Sequence, residues 1–126
     1  MPILHVRALP THDPTDVRSV VEGLCEDVAA ATGIAVERVS VTWTWLAAGH
    51  YAVGGTAGAA QSDEEHPILV DVLVPDAHPQ ERIERLLLAV ADGLGRRTEV
   101  TRENVVVTAI PIRSGQTLAR GRVERW

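Results

Sequence analysis

The segment PILHVRALP at residues 2–10 recurs as PILVDVLVP at residues 67–75, and this recurrence decides the fold. Later in each half, Val39-Ser40-Val41-Thr42 corresponds to Val105-Val106-Val107-Thr108. Glycines follow in both halves at matching distances. Self-similarity that keeps its order along the chain indicates an internal repeat.

A duplicated unit therefore explains the whole chain of 126 residues, a length typical of one domain. We predict a single domain over residues 1–126, with a first unit at 2–58 and a second at 67–126. The small, polar and acidic stretch between them is predicted to be a linker at 59–66.

Hydrophobic periodicity gives each unit the order strand, helix, strand and short hairpin. The predicted strands are 3–9, 38–45, 68–74 and 104–112, with a strand-like tail at 118–124. One helix is predicted from Val17 to a cap at Thr32-Gly33. A second follows a capping region at Asp76 to His78 and Pro79.

Two such units are predicted to give an α+β fold, in which the strands of each unit run parallel. Four strands would form one sheet with both helices on one face. The opposite face, expected to carry Val and Trp side chains, would need cover from an oligomer. The order β-α-β-β-α-β also describes ferredoxin-like domains, and periodicity alone leaves both arrangements open.

The composition argues against several kinds of partner. A formal charge of −5 disfavours nucleic acid and anionic membranes. The single cysteine fits a reducing compartment, and no apolar run approaches a membrane span. The five histidines show no metal-ligand spacing, so we expect no metal site. Taken together, these features predict a cytoplasmic protein that acts on a small molecule without a cofactor.

Pro2 is the residue with the clearest chemical potential. If Met1 is removed, Pro2 becomes a secondary amine with an ordinary pKa of roughly 8, and a nearby cation would lower that pKa. A neutral amine can serve as a general base. Pro67 is its counterpart within the chain and has no free amine. The alternative interpretation is that Pro2 only begins a strand, as it must if Met1 stays attached.

The proline that opens a β-α-β unit, followed by Gly49-His50-Tyr51-Ala52-Val53-Gly54-Gly55, resembles the 4-oxalocrotonate tautomerase family of the tautomerase superfamily. The likeness covers nearly the whole chain and implies a fused, double-length member that forms a homotrimer. It also implies that Pro2 is the catalytic proline and that Tyr51 is an aromatic residue lining the pocket.

The chain departs from the family pattern at two arginine positions. His12 or Asp13 stands at the first, and Ser40 stands at the second, with Arg38 two residues earlier. Because the family's arginines would bind carboxylates, the resemblance supports the scaffold and the proline better than any one substrate.

Strand geometry adds Arg38 to the candidate site residues. Two parallel strands of one unit begin at the same end of the sheet, which predicts that Arg38 lies near Pro2 and polarises the substrate. Arg113 would reach a pocket between the units, with an exposed turn as its alternative. Tyr51 would either line the pocket or pack within its hairpin.

We therefore predict a tautomerase-type isomerase with Pro2, Arg38 and Tyr51 as catalytic residues and Ser40, His12 and Arg113 as substrate-binding residues. Decarboxylation or hydration is possible on the same scaffold if a carboxylate can activate water. The alternative is a non-catalytic trimeric or ferredoxin-like binding protein.

Overall fold

The computed structural model describes residues 1–61 and 65–126. Its strands are β1 Ile3–Ala8, β2 Ser40–Trp45, β3 Ala52–Val53, β4 Thr56–Ala57, β5 Ile68–Pro75, β6 Val105–Ile112, β7 Leu118–Ala119 and β8 Arg122–Val123. Its helices are α1 Val17–Thr32 and α2 Gln80–Arg97, and a 3-10 turn precedes β2 at Val36–Arg38 and β6 at Arg102–Asn104. Of the predicted linker, residues 62–64 lie outside the described part.

The main sheet has the strand order β2-β1-β5-β6. Strands β1 and β2 are parallel, as are β5 and β6, whereas β1 and β5 pair antiparallel at the centre. The two parallel strands of each unit are therefore direct neighbours, unlike those of the split β-α-β arrangement in ferredoxin-like domains. The predicted α+β fold is confirmed and the ferredoxin-like alternative is wrong.

Both helices cover one face of this sheet and contact each other. The core between them and the sheet is aliphatic, with Leu4 and Val6 from β1, Val70 and Val72 from β5, and Leu24 from α1 almost fully buried. Apolar residues thus alternate along the central strands, as a sheet buried on one face requires.

The two helices begin differently, although the repeat predicted similar caps. Asp16 caps α1 by accepting a hydrogen bond from the Ser19 N–H at 3.2 Å, and Gly33 ends it with a left-handed φ of 76°. Helix α2 has Pro79 at its N-cap and no side-chain cap. Within the predicted capping region, Asp76 to His78, Ala77 and His78 instead line a cavity together with Met1.

The expectation that Trp43 and Trp45 lie on the open face of the sheet is wrong. Trp43 packs against the core on the helix side, and Trp45 contacts it edge-to-face at 5.2 Å between ring centroids. The open face carries apolar side chains around the Arg7–Asp71 ion pair, whose atoms are 2.8 Å apart. Val106 and Ile110 on this face are 47% and 40% exposed.

Candidate active site

Pro2 lies at the end of the sheet where β1 and β2 both begin. Its ring is buried, and its carbonyl oxygen accepts a hydrogen bond from the Ser40 N–H at 3.1 Å. Ile3 pairs with Ser40 in the parallel register, which places Arg38 beside the amino terminus. The structure therefore brings Arg38 close to Pro2, as strand geometry predicted. Ser40, the candidate taken from the family pattern, lies beside them.

Two cavities adjoin this amino terminus, one on each side of Arg38. The smaller, of about 340 Å³, lies between the start of β2 and the β7–β8 hairpin. The larger, of about 530 Å³, lies between the end of α1 and the start of α2. Met1, Arg38 and Glu124 line both, so a ligand in either cavity would meet the chain's amino group and charges of both signs.

The electrostatics of the site favour a neutral amine. Burial lowers the pKa of the Met1 amino group below its ordinary value, and the Arg38 guanidinium lowers that pKa further. The Glu124 carboxylate acts in the opposite direction. An amine released at Pro2 would lie one residue further along the strand, in the same field of charge.

Several residues of the site come from the second unit. Because β1 and β5 are antiparallel, the start of β1 lies beside the end of β5, which is followed by Asp76 and His78. The tail after β6 folds back to the same place, and the Trp126 indole N–H donates to the Asp76 carboxylate at 2.8 Å. Arg82 completes this wall.

Sequence analysis missed the contribution of His78, Arg82, Glu124 and Trp126 to this site. These four residues fall in the second unit that the repeat predicts, but the repeat gives no information on which ends of the two units meet. Only the antiparallel pairing of β1 with β5 makes that connection.

Tyr51 lies at the opposite end of the sheet, beside Pro67. Its hydroxyl donates to the Pro67 carbonyl oxygen at 3.1 Å, and its ring contacts His66 edge-to-face at 5.3 Å between centroids. Burial raises the pKa of Tyr51, opposed by the charge of Arg7, so the hydroxyl remains a donor at neutral pH. Within one chain the structure does not bring Tyr51 to Pro2, and the Tyr51 side chain instead contacts Pro67 and His66.

The remaining candidates, His12 and Arg113, line neither cavity at the amino terminus. His12 follows β1 at the Pro67 end, and its backbone N–H donates to Glu99. Arg113 follows β6 at the Pro2 end, but its side chain is exposed at the turn. Its alternative interpretation as an exposed turn residue fits this position.

Within residues 1–61 and 65–126, no group of three or more His, Cys, Asp or Glu side chains is arranged to hold a metal ion. None of the helices described here is both long enough and apolar enough to pass through a bilayer.

Solved structures share this fold over nearly the whole chain. A wild-type fused 4-OT symmetric trimer matches with a TM-score of 0.83 at 20% identity, covering 97% of this chain and 94% of that chain. Pt0534 inactivated by 2-oxo-3-pentynoate matches with a TM-score of 0.83 at 16% identity and the same coverage. Malonate semialdehyde decarboxylase matches with a TM-score of 0.71 at 16% identity, covering 96% of this chain and 93% of that chain.

No protein-family model matches the chain, and no curated protein sequence does. At these identities the structural likeness establishes the fold and leaves the activity to be argued from the site. The resemblance seen in the sequence is confirmed at that level.

Proposed function

We propose that this chain, which has the fold of fused 4-OT, is a cofactor-independent tautomerase-type isomerase acting on a small enolisable keto acid. Pro2, released by removal of Met1, would be its general base. The observation that carries the proposal is the position of the amino terminus between two cavities, beside a guanidinium that lowers the pKa of an amine there.

The proposed reaction moves one proton. The neutral Pro2 nitrogen takes a proton from a carbon next to the substrate carbonyl, and the resulting prolinium returns it at the other end of the enolate. Arg38 stabilises the negative charge that develops on the carbonyl oxygen. The Ser40 N–H holds the Pro2 carbonyl, which fixes the ring against the start of β2.

We further propose that the protein is a homotrimer. The open face of the sheet exposes Val106 and Ile110, and a soluble chain gains stability by covering such a face with other copies. A fused 4-OT of the same fold is a symmetric trimer. In such an assembly, Tyr51 and His12 could approach a Pro2 site only from a neighbouring copy.

The test begins with the intact mass of the purified protein, which shows whether Met1 is removed. Turnover of a keto-enol acid is then compared between wild type, Pro2→Ala and the matched control Pro67→Ala. We expect Pro2→Ala to lower kcat/KM on the order of 100-fold, the usual contribution of a general base, and Pro67→Ala to keep it. Full turnover by Pro2→Ala, or by protein that retains Met1, would refute Pro2 as the base. No turnover by wild-type protein that lacks Met1 would favour a non-catalytic binding protein.

Covalent labelling gives an independent readout of the same amine. In 2-oxo-3-pentynoate the alkyne is conjugated to the ketone, so a neutral amine can add to it. The N–C bond forms, one carbon–carbon π bond is lost and the amine proton moves to the neighbouring carbon. The expected adduct is one whole reagent per chain, on the peptide that begins with Pro2.

A second candidate function is hydration of an unsaturated acid. It is favoured by Glu124, whose carboxylate lines both cavities beside the amino terminus and could activate a water molecule. The variant Glu124→Gln separates the two candidates, because it would abolish hydration while leaving proton transfer by Pro2 in place. Product analysis of wild type with an unsaturated acid shows which reaction occurs.

A further inference from the structure

Helix α2 supplies Arg82 to the larger cavity, and in the described part of the chain this arginine has no carboxylate partner. Arg82 lines the cavity with Met1 and Arg38, and its Nε is buried with no hydrogen-bond partner among the residues that the structure describes. No carboxylate of residues 1–61 or 65–126 lies within ion-pair distance of its guanidinium. A buried guanidinium nitrogen without a partner costs stability unless something binds there.

His78 holds this arginine in place. An Arg82 terminal nitrogen lies 3.2 Å from His78 Nδ1, one helical turn away. Burial, the charge of Arg82 and the nearby amino terminus all lower the pKa of His78. A neutral His78 can accept the hydrogen bond at Nδ1, which orients the guanidinium and leaves its other donors free for a ligand.

We propose that Arg82 is the carboxylate anchor of the Pro2 site, an inference that rests on the proposed function. A guanidinium binds a carboxylate through two parallel hydrogen bonds. With the carboxylate at Arg82, the carbonyl of a keto acid can face Arg38 across the cavity. Arg38 belongs to the first unit and Arg82 to the second. Position 82 is not one of the two positions at which the family pattern carries arginine.

The test compares two electrophiles that differ by one charge. The first is 2-oxo-3-pentynoate, which carries a carboxylate, and the second is 3-butyn-2-one, a neutral alkynyl ketone. The rate of Pro2 labelling is measured by mass spectrometry for wild type, Arg82→Gln and Arg85→Gln. Arg85 is the matched control, because it lies on the same helix but faces a surface groove away from the amino terminus.

We expect Arg82→Gln to slow labelling by the acid about tenfold, as loss of one charge-assisted contact predicts, and to leave labelling by the neutral ketone unchanged. Arg85→Gln should change neither rate, and Arg82→Lys should restore part of the preference for the acid. Unchanged labelling of the neutral ketone also shows that the variant is folded around an intact amine.

An equal effect of Arg82→Gln on both reagents, or no effect on either, would overturn the assignment of Arg82 while leaving Pro2 as the reactive amine. Failure of both reagents to label wild-type Pro2 is a different result. It would overturn the proposed function, and the anchor together with it.

Discussion

Removing the hydrogen bond from the Tyr51 hydroxyl to the Pro67 carbonyl tests whether Tyr51 has a structural or a catalytic role. The variant Tyr51→Phe removes the hydroxyl and keeps the ring, so the edge-to-face contact with His66 is retained. We expect this variant to be less stable and to keep its activity, since Tyr51 lies at the end of the sheet opposite Pro2 in the same chain.

The size of the loss follows from the single contact removed. A hydrogen bond between neutral groups contributes about 1 kcal/mol net, and the half-buried Pro67 carbonyl can partly recover it from water. Unfolding entropy scales with length, so in a chain of 126 residues this corresponds to a fall of about 4 °C in Tm.

Thermal unfolding and steady-state kinetics on the same preparation provide the assay. Wild type and variant must be compared at equal protein concentration, because assembly also stabilises the folded chain. A fall in kcat of tenfold or more with an unchanged Tm would refute this reasoning. It would show that Tyr51 lines the Pro2 pocket, as the family resemblance implied, which in the proposed trimer requires Tyr51 of a neighbouring copy.

Two further predictions concern the charge at the site and the packing of the helices. For the proposed base Pro2, the active form would be the neutral amine. Burial and the Arg38 guanidinium lower the pKa of the amino group at this terminus, so Arg38→Gln should raise the pKa of Pro2 and move the rising limb of the kcat/KM profile to higher pH. The exposed Arg113→Gln should leave the profile in place, and a shift to lower pH for Arg38→Gln would contradict the assigned charge effect. A methyl group at Gly93 would come within 2.5 Å of the Asp27 carboxylate on the facing helix. Gly93→Ala should therefore lower stability by about 1 kcal/mol in chemical denaturation, despite the better helix propensity of alanine.

Much of the fold is encoded locally and could be predicted from the sequence. Alternating apolar residues define the central strands, and helix α1 ends at the predicted Gly33, whose left-handed φ suits glycine. Arg38 lies beside Pro2 because parallel strands joined by one helix begin at the same end. These features depend on residues within one unit.

The rest depends on how the two units meet, which no local pattern specifies. Ile3 pairs with Leu73 where β1 and β5 run antiparallel, and this pairing places residues of the second unit around Pro2. Asp76 was predicted to cap α2 on the evidence of its position before Pro79. It instead accepts a hydrogen bond from Trp126, a partner 50 positions away that appears only in the folded chain.

The two prolines of the repeat have different surroundings, because the segment that connects the units lies at the Pro67 end of the sheet. At the Pro67 end, Gln61 and His66 of the connecting segment are 1% and 4% exposed. The Gln61 side chain bonds the backbone of both His66 and Leu9, which ties the connection to the first unit.

At the Pro2 end no connecting segment occupies the corresponding space, and the repeat places Thr117 where the first unit has Tyr51. Two cavities remain there beside the amino group. Joining two units therefore leaves Pro67 without a free amine and surrounds it with packed side chains, whereas second-unit residues such as Arg82 line a cavity beside the amino terminus of the first unit. In the site proposed here, residues of the second unit would therefore contact a substrate bound beside Pro2 of the first unit.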